Sequence, residues 1–344
     1  MRKRSRTGGA LPGILVAPGM RPSSNLSRAQ MLALGGAALL APASPARADT
    51  APGMMTLRAA SSSNDEVTPF LYAMESGLFK KAGIDAHIDR LPSGSAIVAG
   101  VVGGAFDIGK SSMPSLLAAH GKGIPLTCLA PGGEYSGEHP SFGLVVKPDS
   151  AIKSGADLNG TTAAVSAIDD LYTIAMKTWI DAHGGDSSTV KLVEVPISTV
   201  AATVASGRVA VGTLTQPFLK NGLDAGTVKL LAYSATAIAS RFTMTAWFAR
   251  DDFAAKNPAL AAAFVRVMHE AAIYANAHHA ETLPMLARFL SLQPQDVASL
   301  GERVTAGTVL TPQLMKPLVD AAARYHVVPG PVDPRDLISP VAYR

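Results

Sequence analysis

Short apolar runs that favour strands alternate with helix-like patterns along most of the chain, and this alternation constrains the fold more than any other feature. It begins with the strand-like run Met55–Ala60, continues through Ile84–Leu91, and is still visible in the helical stretch Leu171–His183. Repeated strand-helix-strand units build mainly parallel sheets covered by helices. From Pro258 to Tyr325 the pattern is almost wholly helical. We therefore predict an α/β fold with a helical C-terminal tail.

The first 48 residues differ in composition from the rest, since they hold seven basic side chains and no acidic one. Their apolar run, Met31–Leu40, is too short for the ~20 residues that a membrane-spanning helix needs. Because Ala46-Arg47-Ala48 follows, the segment is typical of a cleaved export signal. We predict that residues 1–48 are a signal peptide, cleaved after Ala48, and that the mature protein is periplasmic. The sequence leaves open the export route, general secretory or twin-arginine, and the start, Met1 or Met20.

The rest of the chain carries 23 basic and 26 acidic side chains without a cluster of lysine and arginine. Nucleic-acid binding needs such a cluster to neutralise phosphates, so a nucleic-acid partner is excluded. Cys128 is the only cysteine, which excludes an intrachain disulfide and a cysteine-based metal site. Since Cys128 lies in an apolar run, we predict that it fills core space.

Motifs that would indicate catalysis are absent from the sequence, including the G-x-S-x-G elbow, the P-loop and H-E-x-x-H. His269-Glu270 has no second histidine at the required spacing, and His278-His279 lies in a polar stretch typical of a solvated helix face. We therefore expect no catalytic residue, no metal site and no cofactor.

Polar loops follow nearly every predicted strand. Ligands of parallel sheets bind beyond the carboxyl ends of the strands, and hydroxyl, amide and carboxylate groups bind a small solute without reacting with it. The same residue types also cap helices, so capping remains open for each of them. The predicted ligand-binding residues are Asn64, Asp65, Thr68, Ser93, Ser111, Ser112, Ser166, Asp169, Asp170, Thr215 and Gln216, with Phe70, Tyr135 and Phe142 as stacking surfaces and Lys110 nearby. We expect Ser112→Ala and Asp170→Ala to abolish stabilisation by the ligand and to leave the unliganded melting temperature nearly unchanged.

Several short motifs occur in a characteristic order. Residues 69–84 contain A-x-E-x-G-x-F-x-x-x-G, and Gly103–Gly109 and Asp157–Val165 follow; Ser206–Ala210 then precedes Gln216-Pro217. In this order the chain resembles the periplasmic substrate-binding proteins of ABC importers for nitrate, sulfonates and taurine, a group with relatives that bind a pyrimidine precursor of thiamine. The resemblance extends from Leu57 to Ile338.

This resemblance implies the type II periplasmic-binding-protein fold, in which two α/β lobes are joined by a hinge. One lobe would comprise residues 49–146 and 244–344, and the inserted lobe residues 147–243. The crossover segments would lie near Val145–Lys147 and Arg241–Thr245. Closure of the lobes would trap the solute, and a permease and ATPase in the inner membrane would receive it from a monomeric binding protein.

The class of solute depends on the acidic residues of the loops. Asp65, Glu66, Asp169 and Asp170 lie where a bound oxyanion would be placed, which favours a small organic solute bearing an amine, a hydroxyl or a ring N–H. Acidic residues at helix N-termini also complement the helix dipole, so this alternative stays open. The second functional hypothesis is an enzyme of the same fold acting on a pyrimidine or related molecule. Eukaryotic relatives of that kind carry a cysteine-rich motif that a chain with one cysteine lacks.

Overall fold

The computed structural model describes residues 53–294, 297, 304–328 and 330–343, so the predicted signal peptide lies outside the described residues. The strands are β1 (Met55–Ser61), β2 (Ile84–Arg90), β3 (Ile108–Ser112), β4 (Leu126–Pro131), β5 (Gly133–Ser136), β6 (Phe142–Val146), β7 (Thr162–Val165), β8 (Lys191–Glu194), β9 (Val211–Thr215), β10 (Lys229–Ala232), β11 (Arg241–Thr243), β12 (Thr245–Arg250) and β13 (Thr305–Ala306). The helices are α1 (Thr68–Glu75), α2 (Leu78–Lys81), α3 (Gly94–Val102), α4 (Met113–Gly121), α5 (Leu171–Ala182), α6 (Ile197–Ala205), α7 (Phe218–Asp224), α8 (Asp251–Lys256), α9 (Pro258–Ala277), α10 (His279–Leu290), α11 (Pro312–Arg324) and α12 (Pro334–Leu337). Within this described part, no helix combines the length and the apolar character needed to cross a membrane.

The first sheet has the strand order β2-β1-β3-β12-β4, in which β1, β2 and β3 are parallel and β12 runs antiparallel to its neighbours. Its helices lie on both faces, as parallel strands that are buried on two sides require. On one face, α3 approaches β3 closely: a Cβ at Gly109 would lie 2.6 Å from Ile97. The other face packs on α1 and α9 through Phe70 and Phe264. Cys128 of β4 is 2% exposed, which confirms its predicted place in the core.

The second sheet has the order β10-β6-β9-β7-β8, with β7 parallel to β8 and β9 and with β6 antiparallel to β9 and β10. Trp179 and Ile180 of α5 cover one face, and Val200 and Val204 of α6 cover the other. The two sheets with their helices confirm the expected pair of α/β lobes, and helices α9 to α11 confirm the helical tail.

The first crossover between the sheets does not lie at Val145–Lys147, as the sequence suggested. Val145 and Val146 are fully buried in β6, and Val145 pairs with Gly212 of β9, so this segment belongs to the interior of the second sheet. A third, small sheet has the order β11-β5-β13 and contains both chain segments that pass between the larger sheets. We therefore propose that the first lobe holds β1–β4 and β12, that the second holds β6–β10, and that β5 and β11 form the crossovers.

Candidate functional site

The carboxyl ends of strands from both large sheets face a cleft with two adjacent chambers. The larger one, about 650 Å³, is called here the polar chamber because serine, lysine and carboxylate side chains line it, among them Ser93, Ser111, Ser112, Lys110, Asp170 and Glu194. The smaller one, about 370 Å³, is called the apolar chamber because Phe142, Met244, Leu286, Leu290, Leu292 and Val304 line one side of it. Asn64, Glu66 and Tyr172 line both chambers. The first two follow β1 and the third starts α5, so side chains of both lobes meet here.

A buried ion pair forms the floor of the cleft. The Lys110 ammonium lies 2.7 Å from Glu66 Oε2 and donates a second hydrogen bond, of 2.8 Å, to Asn64 Oδ1. The two charged side chains are only 1% and 11% exposed. Thr245 Oγ1 donates to the same carboxylate at 2.8 Å and accepts from the Gly133 N–H. A buried charge is tolerated only when it is paired and hydrogen-bonded, and this network meets both conditions.

Glycine makes room for this network at one point. A Cβ at Gly133 would lie 2.6 Å from the Glu66 carboxyl carbon, which is closer than real Cβ contacts come. The carboxylate therefore packs directly on the backbone of β5, one of the two crossover strands. The floor of the cleft is thereby in contact with the region where the lobes join.

Two serines on the first-lobe side begin helices. Ser93 Oγ accepts from the Ala96 N–H as the N-cap of α3, and Ser112 Oγ accepts from the Ser115 N–H as the N-cap of α4. Both helices thus direct their N-terminal ends, which carry partial positive charge, towards the polar chamber. Ser111 lies between them on β3 and is 3% exposed; its hydroxyl has no partner among the residues that the structure describes.

The second-lobe side of the polar chamber is acidic. Asp170 is the N-cap of α5, where it accepts from the Thr173 N–H at 2.8 Å and from Ser166 Oγ at 2.6 Å. Burial raises the pKa of the Asp170 carboxyl, and these hydrogen bonds offset the effect only in part. Asp169 is exposed at the edge of the chamber, and Glu194 accepts from the Ile168 N–H.

Tyr172 forms an aromatic wall between the chambers. Its ring packs edge-on against Phe142, with 4.9 Å between the ring centroids. Burial raises the pKa of the Tyr172 hydroxyl, and the nearby carboxylates of Glu66 and Asp170 add to this effect. The wall therefore offers a flat apolar face whose phenol stays protonated at neutral pH, next to two carboxylates.

Most of the predicted ligand-binding residues line the cleft. The residues that line one or both chambers are Asn64, Asp65, Ser93, Ser111, Ser112, Phe142, Asp169, Asp170, Thr215 and Gln216. Asp65 Oδ2 also accepts from the Val304 N–H, and Gln216 Oε1 accepts from the Lys220 N–H, so both support the local backbone as well.

Four predicted residues lie elsewhere. Phe70 is fully buried against Trp247, with 4.9 Å between the ring centroids, because it faces the core side of α1. Tyr135 is 1% exposed and stacks on Phe242 beneath the small sheet. Thr68 is buried and donates to the Asp65 carbonyl, and Ser166 acts on the site through Asp170.

Other lining residues were missed or valued too little. Lys110 directly follows an apolar strand, a position at the edge of the sheet that could have marked it as part of the floor. Glu66 was recognised only as one of several carboxylates, and Tyr172 stands one residue inside α5. The apolar chamber had no local signal, because Leu286 and Leu290 come from the helical tail.

The model of the NMT1/THI5-like family matches residues 64–282. No curated protein sequence matches the chain significantly. Among solved structures, the periplasmic aliphatic sulphonate binding protein SsuA from Escherichia coli has a TM-score of 0.69 at 19% identity, over 84% of this chain and 92% of that one. The alkanesulfonate-binding protein SsuA from Xanthomonas axonopodis pv. citri has a TM-score of 0.65 at 16% identity, over 84% and 99%. The periplasmic nitrate-binding protein NrtA from Synechocystis PCC 6803 has 0.65 at 17%, over 85% and 87%. These likenesses establish the periplasmic-binding-protein fold.

Proposed function

The chain belongs to the NMT1/THI5-like family, and on that premise we propose that it is the solute-binding component of an ABC importer. It captures a small organic solute between its two lobes and delivers it to a permease and ATPase in the inner membrane. The protein works as a monomer in the periplasm, to which residues 1–48 direct it as a signal peptide. The family match agrees with the resemblance seen in the sequence, and the structural neighbours named above are binding proteins.

One observation carries this proposal: side chains from both lobes converge on the same two chambers. Asn64 and Glu66 come from the first lobe, and Asp169 and Tyr172 come from the second. A solute that contacts both groups favours the closed arrangement of the lobes by its differential affinity for that arrangement. Closure signals occupancy to the membrane partner without any reaction of the solute.

The direct contacts to the solute come from chamber-lining side chains with polar atoms or aromatic faces. We assign this role to Asn64, Ser93, Ser111, Ser112, Asp169, Asp170, Tyr172, Thr215 and Gln216. In this assignment Asp65 holds the loop after β1 in place, and the Lys110–Glu66 pair fixes the floor.

A thermal-shift screen of the mature protein tests the proposal, with sulfonates, nitrate, carboxylates, amines and pyrimidines as probes. A solute that binds only the folded protein stabilises it by about 2.7 kcal/mol at a hundredfold excess over its Kd. Gln216→Ala should reduce the shift caused by the bound probe. The matched control is Gln313→Ala, on an exposed turn of α11, which should leave the shift unchanged.

Small-angle X-ray scattering of the same samples should report a smaller radius of gyration with the stabilising probe than without it. Failure of every class to stabilise the protein, or an equal shift in both glutamine variants, would contradict the proposed site. Conversion of the bound probe into another compound would favour the enzyme hypothesis instead.

A further inference from the structure

The two chambers carry far more negative than positive charge. Among the described residues that line them, the carboxylates are Asp65, Glu66, Asp169, Asp170 and Glu194, and the only lysine or arginine is Lys110. The Lys110 charge is already matched by Glu66 at 2.7 Å. No lysine or arginine in the described part of the chain forms an ion pair with Asp169, Asp170 or Glu194. A bound sulfonate or nitrate would lie beside these like charges, whereas a cation would be attracted to them.

A buried acceptor on the same wall also lacks a partner. The Ser111 hydroxyl lines the polar chamber, is almost wholly shielded from water and makes no hydrogen bond within the described part of the chain. Buried polar groups in folded proteins are nearly always hydrogen-bonded, so an unpaired one in a chamber wall indicates a partner that comes from outside the chain. An N–H group of a solute would supply the missing donor.

The apolar chamber indicates the other end of the solute. Leu286 and Leu290 lie one turn apart on α10 and present the same face of that helix. Met244 and Phe142 complete this apolar lining, and Tyr172 separates it from the polar chamber. A polar solute without an apolar part would leave this surface in contact with water, whereas a hydrocarbon group would cover it.

Given the proposed solute-binding function, we infer that the solute is an amphipathic organic cation. Its protonated amine occupies the polar chamber, where Asp170 and Glu194 attract it and Ser111 accepts one of its N–H groups. Its hydrocarbon part passes the Tyr172 ring and occupies the apolar chamber against Leu290. The cleft therefore selects against the oxyanions that the named structural neighbours bind.

Isothermal titration calorimetry with homologous probes tests this inference on the mature protein. The probes are the primary ammonium ions from methyl- to hexylammonium, the alkanesulfonates of the same chain lengths and the corresponding neutral alcohols. We expect ammonium affinity to rise about fourfold per added methylene until the apolar chamber is filled. The sulfonates should bind at least tenfold more weakly than ammonium ions of equal length.

Two variants separate the contributions of the chambers. Leu290→Ser should flatten the dependence on chain length while the methylammonium affinity stays within twofold. Its matched control is Ile273→Ser on α9, where an exposed apolar side chain lies outside the cleft, and it should keep the full dependence. Glu194→Gln should lower ammonium affinity several-fold and leave alcohol binding unchanged.

The outcomes distinguish this inference from the function on which it rests. Affinity that is independent of chain length, or tighter binding of sulfonates than of ammonium ions, would overturn the amphipathic cation and leave the solute-binding role intact. Absence of binding by all of these probes, together with a negative result in the wider screen, would overturn the solute-binding function and this inference with it.

Discussion

The Lys110–Glu66 pair allows a sharp test of how the cleft floor is stabilised. Lys110→Met keeps most of the length and apolar contacts of the side chain but removes its charge. Glu66 then retains the Thr245 hydroxyl at 2.8 Å and the Asn64 Nδ2 group at 3.4 Å, and its carboxylate remains 11% exposed. Removal of one partner of a buried pair leaves an uncompensated charge, so we expect a loss of about 3–5 kcal/mol of unfolding free energy.

Urea unfolding of the mature protein at neutral pH, followed by circular dichroism, measures this loss. The double variant Lys110→Met/Glu66→Gln should recover most of it, since a neutral amide can keep the hydrogen bond from Thr245 without leaving a buried charge. Lys316→Met is the matched control: its ammonium lies 2.8 Å from Asp320, but both side chains are more than half exposed. An exposed pair contributes little, so this control should lose less than about 0.5 kcal/mol.

Equal losses in Lys110→Met and Lys316→Met would refute the reasoning, because water in the cleft would then solvate Glu66 as well as Lys110 does. A double variant that is no more stable than Lys110→Met would also refute it. In that case the loss would come from the packing of the lysine stem and not from the unpaired carboxylate.

Three further predictions concern single positions. Burial raises the pKa of Asp170, so its proton is held more tightly in the folded than in the unfolded chain and the residue costs stability as pH rises above its unfolded value; Asp170→Asn, which keeps an N-cap acceptor, should gain on the wild type in urea unfolding from about pH 4 to pH 7, and a constant difference would contradict this. Burial raises the pKa of Cys128 to about 12, so a thiol reagent should label the native protein far more slowly than the urea-unfolded chain, and equal labelling rates would argue against a buried thiol. Gly155→Ala would place a Cβ 2.1 Å from the Ile180 carbonyl oxygen and should cost about 1–3 kcal/mol, whereas the nearest atom to a Cβ at Gly137 is 3.5 Å away; equal melting temperatures of the two alanine variants would contradict this.

Much of the fold could be predicted because its signals are local. The apolar run Met55–Ala60 became β1, and the helix expected over Leu171–His183 ends one residue earlier. The small third sheet could not be predicted in this way. Gly133–Ser136 contains glycine, glutamate and serine and resembles a loop, and it becomes a strand only because Arg241–Thr243 pairs with it after a long excursion of the chain. That is also why the first crossover was placed too late.

The location of the site followed from topology, but the orientation of its side chains did not. Ser93 and Asp169 reach the cleft because they follow parallel strands whose carboxyl ends meet there. Phe70 and Tyr135 stand near equally suitable loops, yet both rings turn into the core, where apolar neighbours surround them. Leu290 comes from a helix far along the chain, and only the tertiary structure brings it to the cleft.

Capping and ligand binding are not alternatives in this cleft, because the same side chains are positioned for both. Ser112 and Asp170 each accept a backbone N–H at a helix start and also line the polar chamber. Loss of an N-cap costs about 1 kcal/mol, so the expectation that alanine at these positions leaves the unliganded melting temperature unchanged is wrong. Asp169 and Tyr172 line the cleft and cap no helix, which makes them better reporters of ligand contact. The helix starts mark the site so clearly in the sequence because folding requires them there, whereas the identity of the solute depends on side chains that no folding signal marks.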